Sequence, residues 1–309
     1  MIEALGLTKR YGADVAVDDL SFSVEAGRVT GFLGPNGAGK STTMRMIIAL
    51  DAPSAGTVTV GGRAYGSLRF PLHEVGALLD ANAAHPGRRA RNHLNWLADS
   101  NRIPRRRVDE VLGIVGLTDV AHRRAGELSL GMGQRLGIAA ALLGDPAVLI
   151  LDEPINGLDP EGILWVRHLL RSLAAEGRTV LVSSHLMTEM ALTADHLIII
   201  GRGRLLGSGR VADFIERSGG HHVKVVTPDA DALSVLLRDE GAVVSVDEPG
   251  QLRVHGLEAR DVGILAAGAG LTLYELSTER ASLEDAFMEL TDEHAEYRGS
   301  SALAEAGTP

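Results

Sequence analysis

The sequence contains no cysteine, which excludes disulfides and thiolate metal sites together. Lysine is nearly absent, occurring only at Lys9, Lys40 and Lys224, so arginine supplies the rest of the 30 basic residues. Apolar residues make up 45% of the chain, yet no run approaches the ~18 to 20 uninterrupted apolar residues of a membrane-spanning helix. An excess of positive charge is also missing. The net charge of -10 argues against binding nucleic acid through overall charge, because duplex affinity depends on clustered cations that release counterions. No basic, apolar leader opens the chain, and cytoplasmic residence is the expected consequence. With 309 residues and ~150 per domain, about two unequal domains are expected.

Against these absences stands one dense motif, Gly34, Pro35, Asn36, Gly37, Ala38, Gly39, Lys40, Ser41 and Thr42, directly after the apolar run Val29 to Leu33. The spacing is that of a phosphate-binding P-loop. Glycines let successive N–H groups turn inward toward phosphates, and a helix opening near Lys40 adds the positive end of its dipole. Lys40 would neutralise the β and γ phosphates, and Ser41 is placed to offer its hydroxyl to Mg²⁺. A flexible glycine-rich turn is the plain alternative. The strand before the loop and the helix after it weigh against that alternative.

Residues 1 to 26 alternate in strand fashion, as do Thr57 to Val60, which predicts an antiparallel patch beside a parallel core. From Arg88 to Leu143 the apolar spacing is helical, a helical insertion spanning about 81–143. The runs Ala147 to Leu151, Thr179 to Val182 and Leu197 to Ile200 read as strands buried on both faces. Beyond Gly219-Gly220 the order strand, helix, strand, strand, helix, strand predicts the split pattern of ferredoxin-like modules, its last strand at Leu271 to Leu276. Ser282 and Asp285 suggest the cap of a helix over Leu283 to Leu290, and the tail from His294 to Pro309 has the composition of a disordered segment. The expected fold is therefore α/β: a P-loop NTPase over 1–219 with a mixed sheet, an antiparallel β subdomain and a helical insertion, followed by a small α+β module over 220–293.

A P-loop alone leaves kinases, GTPases and ATPases open. The strand Val148 to Leu151, however, ends in Asp152-Glu153-Pro154, where a doubly wound sheet opens its ligand crevice. There Asp152 can hold Mg²⁺ through its water shell, and Glu153 can orient and deprotonate the attacking water. The third motif is Leu128-Ser129-Leu130-Gly131-Met132-Gly133-Gln134-Arg135. With it the chain, over about Met1 to Ile215, resembles the ATP-binding subunits of ABC transporters, whose signature reads LSGGQ. The Ser-Leu-Gly-Met form is most similar to the ATPases of drug and antibiotic-resistance exporters with ABC-2 type membrane subunits.

The resemblance implies further roles, residue by residue. Ser129 and Gly131 would bind the γ-phosphate held by the P-loop of a second subunit, so hydrolysis would need a dimer; Leu130 and Met132 depart from the family's Gly and Gln. As a plain alternative or in addition, Ser129 is a helix N-cap. Tyr11 corresponds to the aromatic that stacks on adenine, His185 to the switch histidine that senses the γ-phosphate, and Asn156-Gly157-Leu158-Asp159 to the D-loop. Asp80 stands where the family usually has Gln. The three acids Asp80, Asp152 and Glu153 would then crowd one site and raise magnesium dependence.

Arginines at 88, 89, 91, 102, 105 to 107, 123 and 124 concentrate in the insertion, as a solvated face or as a surface near anionic lipid headgroups. His221-His222 has no third ligand nearby and reads as a strand start rather than a metal site. The expected protein is an ATP- and Mg²⁺-dependent subunit of an exporter, forming a homodimer beside an integral permease on the inner face of the membrane, with no nucleic acid partner. The alternatives are a soluble ABC ATPase acting on nucleic acid or ribosomes and a non-hydrolysing regulatory module. The former usually carries two ATPase units or a long coiled coil, and the latter an altered Lys40 or Glu153.

Overall fold

The computed structural model describes residues 1–81, 83–217 and 221–280, together with 283, 284, 286 and 287. The expected cap at Ser282 and Asp285 and the tail from 294 lie outside the described residues. The chain divides into two compact units, Met1–Val211 and Ala212–Pro309.

In the first unit, β1 (Ile2–Tyr11) and β2 (Asp14–Val24) form an antiparallel hairpin, and β4 (Ala55–Val60) pairs with the other edge of β1. Alternation sets their buried face: Ile2 and Ala4 point inward opposite Val24 and Phe22. Between them in sequence, β3 (Arg28–Leu33) is buried almost end to end and leads into α1 (Lys40–Ile47). It lies in a six-stranded sheet with β5 (Val75–Leu78), β6 (Val148–Leu151), β7 (Thr179–Ser184), β8 (His196–Gly201) and β9 (Arg204–Arg210), in the order β5-β6-β7-β3-β8-β9. All neighbours are parallel except the edge pair β8 and β9. The continuous apolar runs of β6 and β7 follow from burial on both faces. Phe32, Met44 and Ile198 join Ile2, Leu7 and Leu20 in one core, each such side chain contributing about 1.5 to 3 kcal/mol on burial.

Helices α2 (Ala90–Ser100), α3 (Arg106–Ile114) and α4 (Leu130–Leu142) build the insertion, while α5 (Pro160–Ala175) and α6 (Met187–Thr193) connect later strands, and α7 (Val211–Arg217) follows the sheet. One seam is unusually close: a Cβ on Gly76 of β5 would lie 1.9 Å from the carbonyl oxygen of Ala141, and one on Gly137 of α4 would lie 2.5 Å from Leu78 Cδ1. Backbone thus sits on backbone where α4 crosses β5. The insertion's arginines are largely engaged. Arg105 pairs with Asp99 at 2.8 Å, Arg107 with Glu110 at 2.9 Å and Asp145 at 3.2 Å, and Arg91 with Asp109. Arg88 stacks 4.8 Å over Trp96 and Arg102 5.0 Å over Phe70.

In the second unit, β10 (His221–Val226), α8 (Ala230–Asp239), β11 (Val243–Glu248), β12 (Gln251–His255), α9 (Ala259–Gly268) and β13 (Glu275–Arg280) form a sheet of order β11-β12-β10-β13 with antiparallel neighbours. Val223, Val225, Leu233, Leu252 and Val262 make its separate core. The strand expected at Leu271 to Leu276 begins instead at Glu275. Leu271 closes the end of α9, donating its amide to Ala266 at 2.9 Å, and both Leu271 and Leu273 pack on the core from the connection.

Candidate functional site

The loop between β3 and α1 wraps around the Lys40 ammonium. Gly39 caps α1 with φ +101°, a left-handed conformation that favours glycine, and a Cβ there would meet Ala16 O at 2.6 Å. Lys40 Nζ folds back to donate to Gly34 O at 2.6 Å and Pro35 O at 3.2 Å. Burial lowers the Lys40 pKa from its ordinary value, and the charges of Glu153 and Asp152 partly oppose the shift. Pro35, Asn36, Gly37 and Ser41 face solvent, Thr42 is half-buried, and Ala38 is buried. A compact cation and the first turn of a helix are thus presented together, a cradle suited to polyphosphate.

At the end of β6 the two carboxylates are held differently. The Asp152 amide donates to Leu78 O at 2.7 Å, and the Ser183 hydroxyl donates to the Asp152 carboxylate. The same Ser183 oxygen accepts the Glu153 amide at 2.9 Å, while Gln134 Nε2 donates to Glu153 O at 3.0 Å. These contacts fix Glu153 at φ +49°, a left-handed conformation uncommon for a side-chain-bearing residue and frequent at functional sites. Its Oε2 lies 2.9 Å from His185 Nδ1, and both side chains remain partly open to solvent. Sequence reasoning gave no role to Ser183 or Gln134. Only the parallel register, with Leu151 opposite Val182, reveals that Ser183 stands beside Asp152.

Ser129 and Gly131 stand apart from that group. Ser129 caps α4, its hydroxyl accepting the Met132 amide at 3.3 Å. Gly131 borders Gly157 and Leu158, and a Cβ on Gly157, whose φ is +75°, would lie 2.3 Å from Leu130 Cδ2. The Leu130 side chain therefore rests on Gly157 while staying 61% exposed. Asp159 caps α5 by accepting the Gly162 amide at 2.9 Å.

Tyr11 is half exposed. Its hydroxyl donates to Asp51 at 3.1 Å, Arg45 binds the same carboxylate oxygen at 2.7 Å, and Lys9 Nζ sits 4.9 Å above the ring centroid. One ring face is covered and the hydroxyl is anchored.

The expected crowding of Asp80, Asp152 and Glu153 into a three-acid metal site is not found: among the described residues no group of three or more His, Cys, Asp or Glu could hold a metal ion. Asp80 lies exposed, two residues past the end of β5. The hydroxyl of Ser41 and the carboxylate of Asp152 are hard oxygen donors that fit a magnesium ion bound chiefly by phosphates and water. No helix among the described residues is long and apolar enough to cross a membrane.

Comparison with known proteins adds the family. A model of the ABC transporter family matches residues 17–156, and one described as a domain of unknown function matches residues 221–284. The chain is similar to the bacitracin transport ATP-binding protein BcrA of Bacillus licheniformis, 36% identical over 94% of this chain and 97% of the relative. It is similar to the Nod factor export ATP-binding protein I of Rhizobium leguminosarum bv. viciae, 35% identical over 96% of each. An uncharacterized ABC transporter ATP-binding protein, YhcH of Bacillus subtilis, is 37% identical over 96% of this chain and 97% of its own length. Among solved structures, an ATP-binding subunit of an ABC transporter superposes with TM-score 0.65 at 27% identity, covering 71% of this chain and 93% of that one. The dimeric cassette MJ0796 shares the fold, with TM-score 0.64 at 24% identity over 68% of this chain and 99% of its own. With relatives this similar aligned over nearly its whole length, the chain belongs to the ATP-binding subunits of ABC transporters and is an ATPase of that family.

Proposed function

We propose that two copies of this chain close head to tail around two ATP molecules, each hydrolysed between the P-loop of one copy and Ser129 and Gly131 of the other. The stroke would drive export of a drug-like or antibiotic substrate through a separate ABC-2 type membrane subunit, with this chain held on the cytoplasmic face. Relatives named for bacitracin transport and Nod factor export favour that reading over a soluble ATPase acting on nucleic acid or ribosomes. The ATPase domain would extend to about residue 219 and the α+β module over 220–293.

The observation that carries the mechanism is the pinned Glu153, its carboxylate 2.9 Å from His185 and its main chain held by Ser183 and Gln134. Glu153 takes the proton of the attacking water as the water's oxygen bonds to the γ-phosphorus and the bond from that phosphorus to the β–γ bridging oxygen breaks, releasing ADP and phosphate, a contribution of about 10² to 10⁴ in rate. Arrival of the γ-phosphate would draw His185 away from Glu153, releasing the carboxylate to the water. Lys40 neutralises the β and γ phosphates, and Tyr11 offers its uncovered ring face to adenine. Ser41 and Asp152, with Asp80 as a further oxygen donor, would hold magnesium, which would supply charge neutralisation for the phosphate oxygens.

The test is the Glu153→Gln chain saturated with Mg-ATP. It should bind nucleotide, dimerise in light scattering, and hydrolyse about 10² to 10⁴ times more slowly. A monomer that persists even beside the membrane subunit would overturn the composite site.

A further inference from the structure

His185 lies on the short connection between β7 and α6, and α6 has only seven residues, so something outside the helix must set its position. Two contacts do so. Met190 is buried against β3, where a Cβ on Gly31 would lie 2.6 Å from Met190 Sδ. On the other side, Arg167 of α5 pairs with Glu189 of α6 at 2.7 Å, with the two side chains only 20% and 25% exposed. Glu189 follows His185 by four residues, and the Thr193 hydroxyl donates to the Glu189 carbonyl at 2.7 Å, holding the far end of the same turn.

The pair also reaches the other side of the site. α5 starts at the Asp159 cap, so Arg167 is rigidly continuous with the Asn156–Asp159 turn that follows Glu153. Pro154, Ile155, Ser183, Arg167 and Glu189 line one small cavity of about 10 Å³. Ligand pockets are usually hundreds of Å³, so this space implies no further ligand. Val166, Leu170 and Met190 already bury the apolar seam between the helices. A charge pair added to a seam that is already packed fixes register and direction more than it adds stability.

We propose that Arg167 is a positioning residue for His185, acting through Glu189, so that the turn after Glu153 and the switch histidine move together. The proposal rests on the role of His185 put forward above. The arrangement is a clamp of two helices, each leaving one wall of the catalytic cleft.

The experiment is steady-state ATP hydrolysis by the full chain carrying Arg167→Leu, Glu189→Gln or Arg167→Lys, each also combined with His185→Ala. Either neutral substitution should lower kcat roughly 10- to 100-fold, as small misplacements of reacting groups do, while KM for ATP stays near the parent value; the melting temperature should fall because each leaves one largely buried charge unpaired, so rates are compared well below it. Arg167→Lys, which keeps the charge, should retain most of the rate. In the His185→Ala background neither neutral substitution should lower kcat further. Unchanged kcat in Glu189→Gln would overturn the clamp, as would an equal loss with and without His185. Should Arg167→Leu fail to fold, Glu189→Gln still decides. Parent-like turnover in His185→Ala alone would instead sink the role of the histidine, and the clamp with it.

Discussion

Gln134 donates its side-chain amide to the main-chain carbonyl of Glu153 at 3.0 Å, tying the helix that Ser129 caps to the residue proposed as base. Gln134 is buried, at 3% exposure, so this contact is made out of water. Replacing Gln134 by Leu leaves the Glu153 carbonyl with the Asn156 amide at 3.2 Å as its remaining partner, beside a left-handed backbone, and should cost about 0.5 to 1.5 kcal/mol of stability. Turnover should fall more steeply than ATP affinity. Urea unfolding and a comparison of kcat with the ATP dissociation constant would check both expectations.

Lys40 gives a pH dependence whose sign is fixed by burial. Its pKa in the folded chain lies below the ordinary 10.5, so between those two values the unfolded chain binds more protons and stability rises with pH. Below the folded pKa the cost of keeping the buried ammonium charged is fully present. In the proposed site that ammonium pairs with the triphosphate, so ATP affinity should weaken on the alkaline side at a lower pH than an ordinary lysine would dictate. Calorimetric titrations across this range should show the decline, and Lys40→Arg, which stays protonated, should flatten it.

Gly157 carries two constraints at once. Ala at this position must adopt φ near +75° and would set its methyl 2.3 Å from Leu130 Cδ2. Gly157→Ala should destabilise by more than the ~1 to 3 kcal/mol of the backbone strain alone. Leu130→Ala removes the overlap but not the strain, so the double variant should be more stable than the two single losses added together. Chemical denaturation of all four proteins closes that cycle.

Asp80 puts a carboxylate where the resembling family usually has an amide. Asp80→Gln removes a negative charge near the end of β5 and should let hydrolysis saturate at a different, lower sensitivity to Mg²⁺. Rates measured over a magnesium titration would show it; superimposable curves would mean that Asp80 does not sense the metal.

Much of this was legible in the chain because the decisive residues are adjacent in sequence. The P-loop, the pair Asp152-Glu153 after an apolar strand, and Ser129 before a helix each state their local structure within a few positions. What escaped depends on register. Ser183 meets Asp152 only because β6 and β7 run parallel with Leu151 opposite Val182. The arginine-rich insertion looked like free charge because its acids, Asp99, Asp109 and Asp145, lie up to 38 positions away from the cations they meet. Leu271 and Leu273 suggested a strand by their apolar character, whereas both serve the core from the connection before Glu275.

The seat of Gly76 beneath the Ala141 carbonyl leaves no side chain between α4 and β5 at that point, and the Leu78 side chain closes directly on Gly137 one turn earlier. Force applied at the Ser129 end of α4 therefore meets little side-chain slack along that seam. It would carry β5 and the residues after it along, as a crank carries its pin. A partner seated at the tip of this helix, as in the proposed dimer, would thus be coupled through bare backbone to β5 and the strand end that precedes Asp80.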